Sequence, residues 1–265
     1  MRVYLKDKKS IAYFDKKATS DFWDEHWQMD GLRRYILSCT GGGFFISTVK
    51  RYLPPGSTVL EGGCGRGELV HALSCQGYRA IGIDFAGKTV QRINQAVPDL
   101  DVRFGDLRNL PITSDHLDGC ISAGVIEHYW EGYHGILSEM RRTLKRGGFL
   151  FLSFPYMSPL RNMKARMRCY PVSSAQQLEY QRSTFYQFAL DWRQVVQDLH
   201  NFGFYVREKW SFDGIKGFKD EVVWSKSFLQ PIYDGKKYKN LRIYLDRFLK
   251  GFASHCLFLV MEKAV

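Results

Sequence analysis

Val59-Leu60-Glu61-Gly62-Gly63-Cys64-Gly65-Arg66-Gly67 is the stretch on which the reading of this 265-residue chain turns. An apolar run ends on an acid and gives way to glycines. From Glu68 a helix is expected, with Leu69, Val70 and Leu73 at helical spacing. Glycines let a chain turn sharply and bring bare backbone against a ligand. A strand, a loop of this kind and a helix form a nucleotide or cofactor site in many α/β folds. The spacing narrows the choice. Counted from Gly63 the pattern is G-x-G-x-G, and Glu68 stands where the dinucleotide fingerprint G-x-G-x-x-G needs its third glycine. The phosphate loop G-x-x-x-x-G-K-S/T is absent as well.

Outward from this stretch, residues 58–154 alternate short apolar runs with helical patterns, the signature of βαβ units and a parallel sheet. The spacing predicts strands over 57–61, 79–84, 101–104, 118–122 and 149–154. Helices are expected from Glu68, over 87–96 and over 131–144, the last followed by Lys145-Arg146-Gly147-Gly148 as a stop. Residues 149–154 are almost continuously apolar, as a strand buried on both faces should be. Beyond Pro155 the pattern loosens, and residues 156–182, basic and Ser/Gln-rich, read as a long loop or lid. A helix near 190–201 and a strand at 204–210 restore order before a second insertion at 213–254 and a final strand at 256–261. Within that insertion Leu241, Leu245, Phe248, Leu249 and Phe252 sit at helical spacing, with Lys239, Arg242 and Arg247 between them. The first 50 residues, with Trp23 and Trp27, read as a cover of short helices. The expected organisation is one domain over 1–265, with a cofactor-binding core at 51–155 and insertions at 156–185 and 213–254 as a candidate lid.

Composition excludes several classes. Apolar residues make up 45% and charged residues 25%, close to soluble globular averages, and a chain of this length can bury a core without disulfides or metals. No apolar run approaches the ~18–20 residues of a membrane span. Residues 1–14 lack the apolar stretch and cleavage site of a secretory signal. Cys39, Cys64, Cys75, Cys120, Cys169 and Cys256 form no C-x-x-C pair, so neither a disulfide framework nor a zinc site is expected. Reduced thiols point to the cytoplasm. The net charge of +11 is concentrated: residues 161–182 hold five Lys/Arg against one Glu, and residues 216–250 hold nine against four acids.

At this point four ordered motifs resemble class I S-adenosylmethionine-dependent methyltransferases. They are the glycine loop, Ile81-Gly82-Ile83-Asp84-Phe85-Ala86, Phe104-Gly105-Asp106-Leu107, and Leu117 to Tyr129, followed by the strand that ends at Phe154-Pro155. The resemblance is to the broad small-molecule branch that includes quinone-biosynthetic O-methyltransferases. It covers about residues 40–155 and the closing strands. It implies a Rossmann-like α/β fold: a mostly parallel sheet whose last strand is antiparallel, with helices on both faces. It also implies S-adenosyl-L-methionine as cofactor. Glu61 would face the methionine end, and the backbone of Gly63, Cys64 and Gly65 would cradle it. Asp84 would take the ribose hydroxyls, since hydrogen bonds to a charged group are worth about 1.5–3 kcal/mol each. Phe85 would offer a face to the adenine, or else serve the core. Asp106 would accept from the adenine amine, or else cap a turn. Leu107 would pack on the ring, and Gly124 would allow close backbone approach.

Methyl transfer from a sulfonium is a direct displacement, so alignment of the two reactants dominates. A base is needed only when the acceptor must lose a proton. His128, in Ile126-Glu127-His128-Tyr129, is the candidate, with a helix-capping role as the alternative. The chain reads Ser122-Ala123-Gly124-Val125-Ile126 where nucleic-acid amine methyltransferases carry D/N-P-P-Y/F. It has no Pro-Cys dipeptide, and Ala123-Gly124 cannot ligate a metal. A metal-independent transfer to oxygen or nitrogen of a small or lipid-linked acceptor, anionic acceptors included, is therefore expected. Arg161 through Arg168, with Tyr156, Met157 and Tyr170 nearby, would bind an anionic acceptor or RNA phosphates. The helix near 238–252, with apolar and basic faces, would lie on a membrane surface, or else cover the sheet or make a dimer contact. These basic insertions leave RNA or protein open as acceptor, although no RNA-binding module is present. A non-catalytic cofactor-binding protein is a third. The remaining expectations are a homodimer or peripheral contact with the inner membrane surface, with nucleic acid not a partner. Trp23 and Trp27 would close over the site or simply pack their helix.

Overall fold

The computed structural model describes residues 1–27, 30–41 and 43–264. Two strands open the chain, β1 (Arg2–Leu5) and β2 (Ser10–Phe14). Helices α1 (Ser20–His26), α2 (Leu32–Ser38) and α3 (Gly43–Tyr52) follow. The core alternates β3 (Thr58–Gly62), α4 (Glu68–Cys75), β4 (Arg79–Asp84), α5 (Gly87–Ala96) and β5 (Val102–Phe104). It continues through β6 (Leu117–Ala123), α6 (His134–Thr143) and β7 (Leu144–Pro155). Beyond lie α7 (Pro159–Arg166), β8 (Val172–Ser173), β9 (Phe185–Ala189), α8 (Trp192–Asn201) and β10 (Phe204–Phe212). Three helices, α9 (Gly214–Glu221), α10 (Lys226–Asp234) and α11 (Lys239–Leu249), precede β11 (Cys256–Lys263).

The main sheet has seven strands in the order β10-β11-β7-β6-β3-β4-β5. Neighbours from β5 to β7 run parallel, and β11 is antiparallel to both β7 and β10. The expected antiparallel last strand is therefore present. Side chains of a strand alternate between its two faces, and both faces of this sheet are covered. On β7, Leu150, Leu152 and Phe154 join the core beneath α6 and α8, whereas Phe151 joins the core beneath α2 to α5. The same split separates Leu257, Leu259 and Met261 from Phe258 and Val260 on β11.

Two expectations need correction. The first 50 residues are not all helical, because β1 and β2 form an antiparallel hairpin in register Arg2↔Tyr13 to Leu5↔Ser10. This hairpin is the middle of a second sheet, in the order β8-β1-β2-β9. Its inner residues Val3, Leu5, Phe14, Phe185 and Phe188 pack into the same core as Trp130. Residues 156–182 are also not a structureless loop. Ser158 caps α7 by accepting from Arg161 N at 3.4 Å, and Pro159 occupies its first turn. Arg161, expected to be free for an anionic ligand, is buried and donates to Glu221 Oε1 at 3.0 Å and to the Tyr156 carbonyl at 2.7 Å. Lys164 is bound to the same Glu221. Two of the residues credited with binding anions thus hold α7 to α9 instead.

Candidate functional site

A cavity of about 690 Å³ opens at the carboxyl ends of β3, β4 and β6, the place where ligands bind in open α/β sheets. Ten residues singled out in the sequence line it: Glu61, Gly63, Cys64, Gly65, Asp84, Phe85, Asp106, Leu107, Gly124 and His128. The turn after β3 brings them together. Gly63, Gly65 and Gly67 all have positive φ, at 75°, 52° and 76°, a region costly for residues with a Cβ. A Cβ on Gly63 would lie 2.5 Å from Val125 Cγ2, and one on Gly65 would lie 2.9 Å from Trp27. The loop is therefore threaded between β6 and the helical cover, with bare backbone facing the cavity.

Asp84 ends β4 and is buried. Its two oxygens accept from Gly65 N at 2.8 Å and Ala86 N at 2.9 Å, which locks the acid to the glycine loop. Burial pushes its carboxyl above the ordinary value, against the pull of those amides. Glu61 is fully enclosed, and its Oε2 has no partner among the described residues. Burial, followed by the charges of Glu68 and Asp84, pushes its carboxyl well above the usual range. The Cys64 thiol is likewise driven up by burial, so Cys64 contributes backbone rather than reactivity. Asp106 is partly exposed and chelated by Arg108, at 2.6 Å to Nη2, while its Oδ1 accepts from Arg108 N at 2.9 Å. The turn-capping alternative is thus realised, and the Arg108 hydrogen bonds hold that carboxyl below its usual value.

His128 lies on the short 3-10 turn Ile126–His128 after β6. Its Nδ1–H donates to the Tyr186 carbonyl at 2.7 Å, which fixes the tautomer and leaves Nε2 as the acceptor. Trp23 and Tyr186 stand edge-on to the ring, at centroid distances of 5.2 and 5.1 Å. Burial lowers its pKa to about 4, so the imidazole is neutral. Beside it Glu127 is buried, and burial raises its carboxyl to about 8. Trp23, Trp27, Tyr129, Trp130 and Phe185 complete an aromatic wall, with Lys17 and Arg182 at the cavity lining. Arg182 is paired with Glu131 and Glu179.

Several determinants carry no signal in the sequence. Asp24 on α1 accepts from Thr89 N at 2.7 Å and Thr89 Oγ1 at 2.8 Å, tying the tryptophan-bearing cover to the start of α5. Phe44 and Phe45 of α3 also line the cavity. Among the described residues none of 213–254 is part of that lining.

Comparison with known proteins fits this geometry. Residues 60–152 match the family described as a methyltransferase domain. A Mycolicibacterium smegmatis protein named "Probable S-adenosylmethionine-dependent methyltransferase" is 35% identical over 100 residues, covering 38% of each chain. The malonyl-[acyl-carrier protein] O-methyltransferase of Yersinia pestis is 28% identical over 98 residues, covering 37% of this chain and 36% of that one. The chain thus spans less than half the length of these curated relatives. Among solved structures, an S-adenosylmethionine-dependent methyltransferase from Mesorhizobium loti superposes with a TM-score of 0.54 at 16% identity. That alignment covers 84% of this chain and 99% of that one, and it is a likeness of fold. Residues 60–152 thus match a methyltransferase domain, and the Mycolicibacterium smegmatis relative is named for dependence on S-adenosylmethionine as cofactor.

The donor set suits that cofactor. The unpartnered, buried Glu61 oxygen is an acceptor for an ammonium group. Each Asp84 oxygen takes one amide and keeps a lone pair for a hydroxyl. The loop makes no phosphate cradle, and the cofactor carries no phosphate.

Proposed function

We propose that the chain is an S-adenosylmethionine-dependent methyltransferase acting on oxygen or nitrogen of a small or lipid-linked acceptor. The observation that carries the reading is the single cavity in which the unpartnered Glu61 carboxyl and the loop-locked Asp84 face an aromatic wall containing His128. The cofactor supplies an electrophilic methyl group. Glu61 holds its methionine end and Asp84 its ribose, which together fix where that methyl points, and orientation of this kind supplies about 7–11 kcal/mol of the barrier. Trp23 and Trp27 on the Asp24-anchored α1 exclude water from the reaction.

His128 presents Nε2 to accept a proton or a hydrogen bond from the acceptor. Its low basicity suits an acceptor that is already anionic or readily ionised, and the Yersinia relative is named for methylation of an oxygen on an acyl-carrier-bound malonyl group. Lys17 at the cavity lining offers a cation to such a group. The test is calorimetric titration with S-adenosylmethionine and S-adenosylhomocysteine, with NAD as control. Binding of the first two and not of NAD is expected, with Asp84→Ala weakening both at least about tenfold. Unchanged affinity in that variant would remove Asp84 from the cofactor site.

A further inference from the structure

We propose that the α10–α11 helix pair docks this protein on an anionic membrane surface. Nine of the eighteen large apolar side chains most exposed on the described surface fall within residues 223–252. They include Trp224, Phe228, Tyr244 and Phe248 at 73, 70, 68 and 76% exposure. Neither helix buries a single residue, although both pack on α9. The apolar residues are ordered on the helices. Leu241, Tyr244 and Phe248 recur at three and four residues, which places them along one stripe of α11, and the exposed Phe252 follows in the turn beyond it.

Charge selects the occupant. Residues 223–252 hold seven Lys/Arg against two Asp, a net +5. Among the described residues Lys226, Lys239 and Arg247 are exposed and make no ion pair. A second copy meeting this face symmetrically would bring two such cationic surfaces together. An anionic bilayer instead neutralises them, while the aromatic rings enter the interface. Among the described residues no helix is long and apolar enough to cross a membrane, so the pair lies on the surface.

Topology gives the docking a direction. The insertion leaves the sheet after Phe212 and returns at Cys256, which is paired with Pro155 at the carboxyl end of β7. The helices therefore rise from the same edge of the sheet on which the cavity opens. The inference is independent of the cofactor reading.

The experiment is co-sedimentation of the full chain with vesicles of mixed phosphatidylcholine and phosphatidylglycerol, and with vesicles of phosphatidylcholine alone. Partition onto the mixed vesicles is expected, weakened by salt and by Lys226→Glu with Arg247→Glu. Trp224→Ser and Phe248→Ser each should lower it about tenfold. These positions are exposed, so the variants should keep their S-adenosylmethionine affinity, which is measured on the same preparations. Absence of partition, or equal partition onto neutral vesicles, would overturn the proposal. So would a stable dimer that Phe248→Ser dissociates, which would give the face to a second copy.

Discussion

Glu61 and His128 are both buried ionisable groups, and burial acts on them in opposite directions. Enclosure, and then the neighbouring acids, raise the Glu61 carboxyl well above its usual range and so favour its protonated form. An ammonium placed beside Oε2 favours the carboxylate, so cofactor binding near neutral pH should release a proton from this residue. The observed binding enthalpy should then vary with the ionisation enthalpy of the buffer, and Glu61→Gln should abolish the variation. Equal enthalpies for the parent protein in all buffers would show that Glu61 is already ionised. His128 is neutral, with its pKa pushed down to about 4. His128→Ala is expected to leave cofactor affinity within about threefold and to lower turnover by about 10²–10⁴ if the acceptor gives up a proton to Nε2. The kcat pH profile separates a base from a packing residue, since only a base makes the rate fall as pH drops towards about 4. Asp106 shows how a local partner can engage a motif residue that also lines the cavity. Arg108, two residues on, takes its carboxylate by side chain and backbone together.

At the scale of elements, glycines decide which pieces come into contact. Gly217 in α9 faces the backbone of the segment entering β11, where a Cβ would collide with the Ala253 carbonyl and lie 2.8 Å from His255 N. Gly217→Ala should therefore destabilise the protein by about 1–3 kcal/mol, read as a lowered denaturation midpoint. An unchanged midpoint would mean that α9 slides freely along that segment. The hairpin β1–β2 escaped the sequence reading for a physical reason. Its turn is Lys6-Asp7-Lys8-Lys9, without the Asn-Gly or Gly-X pair that marks tight hairpins, and Lys9 itself adopts the left-handed conformation at φ 46°. Its partner β9 lies about 170 residues away and pairs through Ile11↔Ala189. The central strands, by contrast, were legible because parallel strands buried on both faces read as unbroken apolar runs.

Across the whole molecule one buried charge cluster joins the parts the sequence left loose. Glu221 receives Arg161, Lys164, Arg2 and the Tyr170 hydroxyl, and the Arg161 guanidinium also reaches the His255 ring at 2.9 Å. It thereby connects α7, α9, β1 and the segment entering β11. Removing one partner strands the others, so Glu221→Gln should cost about 3–5 kcal/mol. The charges around Glu221, led by Arg161, overcome the opposing effect of its burial and hold its carboxyl at about 2, below its ordinary 4.5. That contribution is complete above about 4.5 and is lost as pH falls towards 2. His255 is held neutral by burial and by Arg161, well below its ordinary 6.5, so stability also declines as pH falls from about 6.5. Both shifts predict a protein sensitive to acid, and Glu221→Gln should flatten the loss between about pH 4.5 and 2. An unaltered acid profile would deny Glu221 this role.

Local chemistry determined the β3–α4 turn, the acid at the end of β4 and the positions of the parallel strands along the chain. Each depends on neighbours within a few residues: a positive-φ glycine, a helical spacing, an apolar run bounded by turns. Ten residues chosen on those grounds line one cavity. Only the tertiary structure decided that Arg161 is a buried tie rather than an anion ligand, and that residues 2–14 pair with 172–189. It likewise left the 213–254 insertion out of the cavity lining, with its aromatic residues turned to the surface. These outcomes depend on which distant surfaces meet and on what burial does to a charge once they have met. Neither is encoded in the spacing of residues along the chain.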